Sequence, residues 1–235
     1  MAKINLSRRA EIGQERRART RAILVSAATT LIAERPIEAI TVDEIVKEAG
    51  VAKGTFYVHF VDMDALISAV AEEFIDDLDQ ALQPQQIVQE DPLDRIAFGC
   101  GVFIERAIND PPWGLVVGRM AATYAWVGDR TKKRLLDDLR DLYRATPPAR
   151  RKLDPAVATE VVVGIVLQTL VAIGQGRLNA TQARSAISAI LSSIGIEART
   201  RASVIKRVTA LLANPAAQWP TLASTLASVQ ADRRR

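Results

Sequence analysis

Apolar residues recur at three- and four-residue intervals along almost the whole chain, and no stretch shows the alternation of β-branched residues that a half-buried strand needs. Leu24, Ala27, Ala28, Leu31 and Ile32 form one such helical face. Leu66, Ile67, Val70, Phe74 and Leu78 form a second, and Ile96, Cys100, Phe103, Ile104 and Ala107 a third. The period confines the fold class to all-α. With 235 residues, 49% of them apolar, the chain can bury a substantial core.

Punctuation residues divide these faces. Thr20 is the expected N-cap of the first helix, after a basic arm, and Pro36 its stop. Thr41-Val42-Asp43-Glu44 has the form of a capping box, Ile40 can staple onto Ile45 or Val46, and Gly50 suits a left-handed helix end. Lys53 to Phe60 offers barely two further turns. Asp62 caps a fourth helix that Pro84 is expected to break, and Asp91-Pro92 opens a fifth that Asn109-Asp110-Pro111-Pro112 closes. An aromatic segment runs from Trp113 to Val127, followed by a charged amphipathic helix over Asp129–Ala145. Asp154-Pro155 opens an apolar helix to Ile173, Thr181 caps another up to Gly195, and a last one spans Glu197 to Ala213.

Charge is segregated. Met1 to Arg21 carries seven basic residues, Arg16 and Arg17 among them, against two acidic ones. Val61 to Asp110 carries twelve acidic residues against Arg95 and Arg106. The N-terminal end is thus fitted to a polyanion that the middle would repel. A single cysteine, Cys100, leaves no disulfide framework and fits a reducing cytoplasm, and no secretory h-region follows the first basic residues. The uncharged run from Val161 to Gly176 falls short of the ~20 residues that cross a bilayer. It is expected to be a buried helix, not a membrane segment.

Two short helices joined at Gly50-Val51-Ala52 have the proportions of a helix-turn-helix, whose second helix enters the DNA major groove by its N-terminal residues. Lys53, Gly54 and Thr55 then lie closest to the bases. Lys53 can donate to guanine or phosphate, Gly54 permits close backbone approach, and Thr55 offers a hydroxyl or a methyl. Tyr57 and His59 present hydrogen-bonding tips on rigid rings, which suits phosphate positioning.

The run from Thr41 to Phe60, TVDEIVKEAGVAKGTFYVHF, strongly resembles the signature of the tetracycline-repressor (TetR) family, with similarity back through Arg17–Arg35 and forward to Ala65-Leu66. The resemblance implies a three-helix DNA-binding domain over residues 1–61. It also implies a larger helical ligand-binding and dimerisation domain over 62–235, and release from an operator when a small molecule binds. By position it assigns Thr41, Val42, Lys53, Gly54, Thr55, Tyr57 and His59 to the DNA face. Met63 stands where the family commonly has a phosphate-touching lysine, which leaves more of the neutralisation to the basic arm, Arg16 and Arg17 included. Val58 is apolar at a position that can pack on a thymine methyl.

Beyond Val61 the residues say less about chemistry. Phe98, Cys100, Phe103, Trp113, Met120, Tyr124, Trp126 and Tyr143 are candidates for an apolar pocket between helices, and Arg106 and Arg119 for anchors of an acidic group. The helices near 155–173 and 181–194 resemble the family's dimer-forming pair, and their apolar faces suit an obligate homodimer interface. No cofactor or metal is expected. Two other classes stay open: an architectural DNA-binding protein without a ligand, and a helical enzyme. One histidine, one cysteine, and no metal cluster, phosphate-binding glycine loop or serine nucleophile elbow speak against the enzyme.

Overall fold

In a computed structural model of the chain, the described residues are 6–86, 90–123, 129–147 and 151–213. Among them there are ten α-helices and one short 3-10 turn. The helices are α1 (Leu6–Glu34), α2 (Val42–Ala49), α3 (Lys53–His59), α4 (Met63–Gln86) and α5 (Pro92–Asn109). After these come α6 (Pro111–Thr123), α7 (Asp129–Ala145), α8 (Pro155–Gly174), α9 (Ala180–Ser193) and α10 (Ala198–Leu212). By contacts the described chain divides after Glu72 into two compact units, called here the head and the body.

In the head, α1, α2 and α3 pack on one another around Leu24, Ile32, Ile45 and Phe56, none of which has measurable exposure. Ile40, Ala49, Phe60, Leu66 and Val70 are also buried. The basic arm is not a separate segment. Thr20 lies inside α1, its hydroxyl donating to the Arg16 carbonyl at 3.0 Å, and the helix begins at Leu6. The preceding stretch contains no proline and is rich in Arg, Glu, Gln and Ala, all good helix formers, so nothing stops the helix short of Leu6. Asp62 caps α4, its carboxylate accepting from the Ala65 amide at 2.8 Å. Pro84 does not break α4, which continues two residues further to Gln86. The missing proline N–H costs one ladder bond in a turn that is already the last. The Leu78 side chain lies outside the described residues.

In the body, α5 is the hub, touching each of α6, α7, α8, α9 and α10. Its capping Asp91 accepts from the Leu93 amide at 2.9 Å, with Pro92 at the first helical position. α6 and α8 make the most extensive helix pair. Asn179, not Thr181, caps α9: its side chain accepts from the Gln182 amide and its own amide donates back to Gln182, each at 3.0 Å. Asn caps better than Thr, and only Asn179 has a glutamine three residues on. α8 is 20 residues long, so by length and composition it could cross a membrane, unlike the shorter run read from the sequence. Its Ala158, Val162 and Leu170 are instead fully buried among α5, α6, α7 and α9, as in the core helix of a folded body.

Candidate nucleic-acid interface and ligand cavity

The head builds its outward face by local hydrogen bonding. The Thr41 amide and hydroxyl donate to one Glu44 carboxylate oxygen at 2.9 and 2.8 Å, and the Glu44 amide returns to the Thr41 hydroxyl at 3.3 Å. The other Glu44 oxygen lies 2.7 Å from the Arg35 guanidinium. The Thr41 amide and Arg35 together hold the Glu44 carboxyl well below its usual range, at about 2. Gly50 then ends α2 with φ 66°, the left-handed backbone that favours glycine, and the Val51 amide closes onto the Val46 carbonyl at 3.0 Å.

This turn delivers α3 with two faces. Phe56 and Phe60 point inward, their rings 5.8 Å apart, and Phe56 meets Tyr57 edge-on at 5.2 Å. Lys53, Gly54, Tyr57 and Val58 are exposed, and Thr55 and His59 are half-buried. A Cβ at Gly54 would meet nothing within 4 Å, so that side of α3 is open. From α1, the Arg21 guanidinium stands 5.2 Å over the Phe60 ring. Partial burial, then the positive charges of Arg17 and Arg21, push the His59 pKa down. Thr41, Arg16 and Arg17 are exposed and Val42 is half-buried. Residues on α1, α2 and α3 thus present donors and positive charge, as phosphate binding requires. One participant escaped the sequence reading. The Lys53 ammonium is held by the Asp43 carboxylate at 2.8 Å, and that contact raises its pKa. Asp43 was legible only as part of the capping box.

The body holds a partly open cavity of about 120 Å³. Ile96, Gly99, Cys100 and Phe103 line it from α5, and Val117 and Ala121 from α6. Val162, Val163, Val166 and Leu167 line it from α8. Arg95, and Thr131, Lys132, Arg134, Leu135 and Asp138 from α7, complete the wall. Of the candidate pocket residues, Cys100 and Phe103 are here. Phe98, Trp113, Met120 and Tyr143 are buried but line no part of the cavity, and Tyr124 and Trp126 lie outside the described residues. The cavity face of α5 follows the spacing of Ile96, Cys100 and Phe103, and Phe98 projects from the other side of the helix. Aromatic character was therefore the wrong guide: most of the wall is valine, leucine and small residues.

Neither arginine singled out as an anchor lines the cavity. Arg106 is buried 3.3 Å from Asp110 with its guanidinium 5.3 Å from the Trp113 ring centre, and Arg119 lies elsewhere on α6. Burial pushes the Cys100 thiol up to about 12, so it is not a thiolate nucleophile at neutral pH. Among the described residues no group of three His, Cys, Asp or Glu side chains is placed to hold a metal ion.

Comparison with known proteins falls on the same two units. Residues 24–70 match the family model described as bacterial regulatory proteins, tetR family. The Bacillus subtilis transcriptional regulator YvdT is 41% identical over 52 residues, 22% of this chain and 27% of YvdT. EthR of Mycobacterium tuberculosis is 31% identical over 71 residues, 30% of this chain and 32% of EthR. These matches thus span about a third or less of the relatives' own length. Among solved structures, RolR in complex with resorcinol is 25% identical with a TM-score of 0.61, covering 83% of this chain and 96% of RolR. The family signature coincides with the capped, glycine-turned head, and the fold likeness extends through the body: residues 24–70 form a DNA-binding head of the tetR family type, on a chain whose fold is similar to that of RolR.

Proposed function

We propose that the chain is a sequence-specific transcriptional repressor that acts as a homodimer, binds double-stranded operator DNA through the head, and is released by a small molecule held in the body. The observation that carries this reading is α3. It is a short helix set behind a left-handed glycine, with Lys53, Gly54 and Tyr57 outward and Arg17 and Arg21 near its C-terminal His59. A helix so placed enters the major groove by its N-terminal residues, and the flanking cations take up phosphate. Thr41, Val42, Thr55, His59 and Arg16 are assigned to the same interface. An operator-bound repressor acts in the cytoplasm. The apolar cavity, and the resorcinol carried by the similar RolR, support the ligand-gated part.

Homodimerisation is assigned to α8 and α9. Val157 is half-exposed, Gly164 and Gln168 are exposed on the same side of α8, and Ser185, Ala189 and Ser192 are exposed on α9. Small and uncharged side chains of this kind permit close helix approach between two copies. A Cβ at Gly164 meets nothing within 4 Å, so Gly164→Arg leaves the chain's own packing intact and places a charge in the interface. Sedimentation should show a dimer that this variant converts to monomer.

The test of the main reading is selection of duplexes from a random pool by the purified protein, followed by footprinting. Recovery of one two-fold symmetric sequence, with half-sites one or more helical turns apart, is expected. Sequence-blind coating of all duplexes, or no DNA retention at low salt, overturns it.

A further inference from the structure

The cavity is small, and its charged edge is already paired. At about 120 Å³ it compares with the roughly 150 Å³ of an engineered apolar cavity that takes up benzene. A single ring fits within it, and a larger ligand would have to extend out through its open side. At one edge the Arg95 Nε donates to Asp138 Oδ1 at 2.7 Å, while Arg95 Nη1 donates to the Glu90 carbonyl at 3.0 Å. Asp141 lies 3.6 Å from the same guanidinium. Lys132 and Arg134 on this wall have partners of their own. An anionic ligand therefore finds its counter-charges taken and meets the Asp138 carboxylate. That carboxylate accepts one bond among the described residues, from Arg95, which leaves its second oxygen able to accept.

We propose that the effector is a compact, neutral, monocyclic molecule with a hydroxyl donor, of phenol type, whose ring sits among Cys100, Phe103, Val117 and Val166 and whose hydroxyl donates to Asp138. The inference rests on the ligand-gated reading of the body. A bond from a neutral hydroxyl to a partly desolvated carboxylate is charge-assisted, stronger than one between neutral groups. Burial, against the pull of Arg95, pushes the Asp138 pKa up, and a hydrogen bond donated to the carboxylate would offset part of that burial cost.

The experiment titrates phenol, toluene and benzoate into the full-length protein by calorimetry. Phenol should bind with one site per chain, toluene at least about tenfold more weakly for want of the charged hydrogen bond, and benzoate not at all. Ala121→Phe places a ring in the cavity from α6 while keeping both Arg95 and Asp138; it should melt like the parent chain and lose phenol binding. Asp138→Asn should bring phenol toward the toluene affinity. Toluene binding as well as phenol, benzoate binding better, or a folded Ala121→Phe protein that still takes phenol would each overturn the assignment. The DNA titration is repeated with phenol present, which separates this inference from the reading beneath it. Phenol that binds the cavity yet leaves DNA affinity unchanged refutes gating while the ligand class stands. DNA that binds normally while no probe is taken up refutes the ligand class while the DNA reading stands.

Discussion

In the head, Thr41 and Glu44 exchange three hydrogen bonds within four residues of chain; in the body, Arg95 reaches Asp138 across 43 residues to complete the cavity edge. The first arrangement forms as soon as its own helix does. The second exists only when α5 and α7 have already packed. The groups proposed to meet DNA in the head are exposed polar tips on a small locally capped unit, so substitutions there should separate function from folding. The ligand surface proposed for the body is the inside of its own packing, where the two are entangled.

The largest expected effect challenges that separation. Phe56→Ala empties the centre of the head and should cost about 3–5 kcal/mol of its stability, abolishing DNA binding. If the body is independently held, its cavity should still take up ligand, which calorimetry on the variant can check. A variant that loses both would show the two regions to be one cooperative unit. In the body, Gly114→Ala should cost about 1–3 kcal/mol by overpacking. Its Cβ would stand 2.9 Å from the Ala107 Cβ and 3.2 Å from the Leu170 carbonyl, at the meeting of α5, α6 and α8. A thermal melt equal to the parent's would mean this seam is looser than its geometry.

Smaller effects sharpen the contrast from the head's side. Asp43→Asn frees the Lys53 ammonium, so affinity for an arbitrary duplex should rise a few-fold and the salt slope should steepen by about one. Lys53→Ala should do the reverse, and a loss confined to one selected sequence would mark Lys53 as a base reader. The smallest concerns acid. The Glu44 pKa is lowered in the folded chain from 4.5 to about 2, so its stabilising contribution is complete above about 4.5 and is lost as pH falls toward 2. Glu44→Gln keeps the box geometry but has no proton to gain. Melts between pH 5 and 2 should therefore be flatter for the variant, and equal slopes would show the pairing to be ineffective.

These contrasts also explain what the sequence could show. The Thr41 box, the Gly50 turn and the Asp62 cap depend on residues at most four apart, and all were readable in order. The helix starts at Leu6 and Asn179 were also local signals; they were misassigned because Thr20 and Thr181 looked adequate as caps. The cavity was of another kind. Arg95, Asp138, Ala121 and Val166 carry no mark distinguishing wall from core, since the choice depends on the rotation of each helix about its axis within the bundle. Reading aromatic residues as lining found Cys100 and Phe103 and mistook Phe98, Trp113, Met120 and Tyr143 for more of the same.

The continuity of α1 has a kinetic consequence. At 1.5 Å per residue, the 29 residues from Leu6 to Glu34 make a rod about 40 Å long, with Arg8, Arg16, Arg17, Arg19 and Arg21 at fixed intervals along it. An unstructured basic tail widens the capture radius of a DNA-binding protein by sweeping ahead of it, and so speeds encounter. A rod gives up that reach and delivers its charges together, already in register with one another. Its arginines should therefore act less on how quickly the protein finds a duplex than on how long it stays.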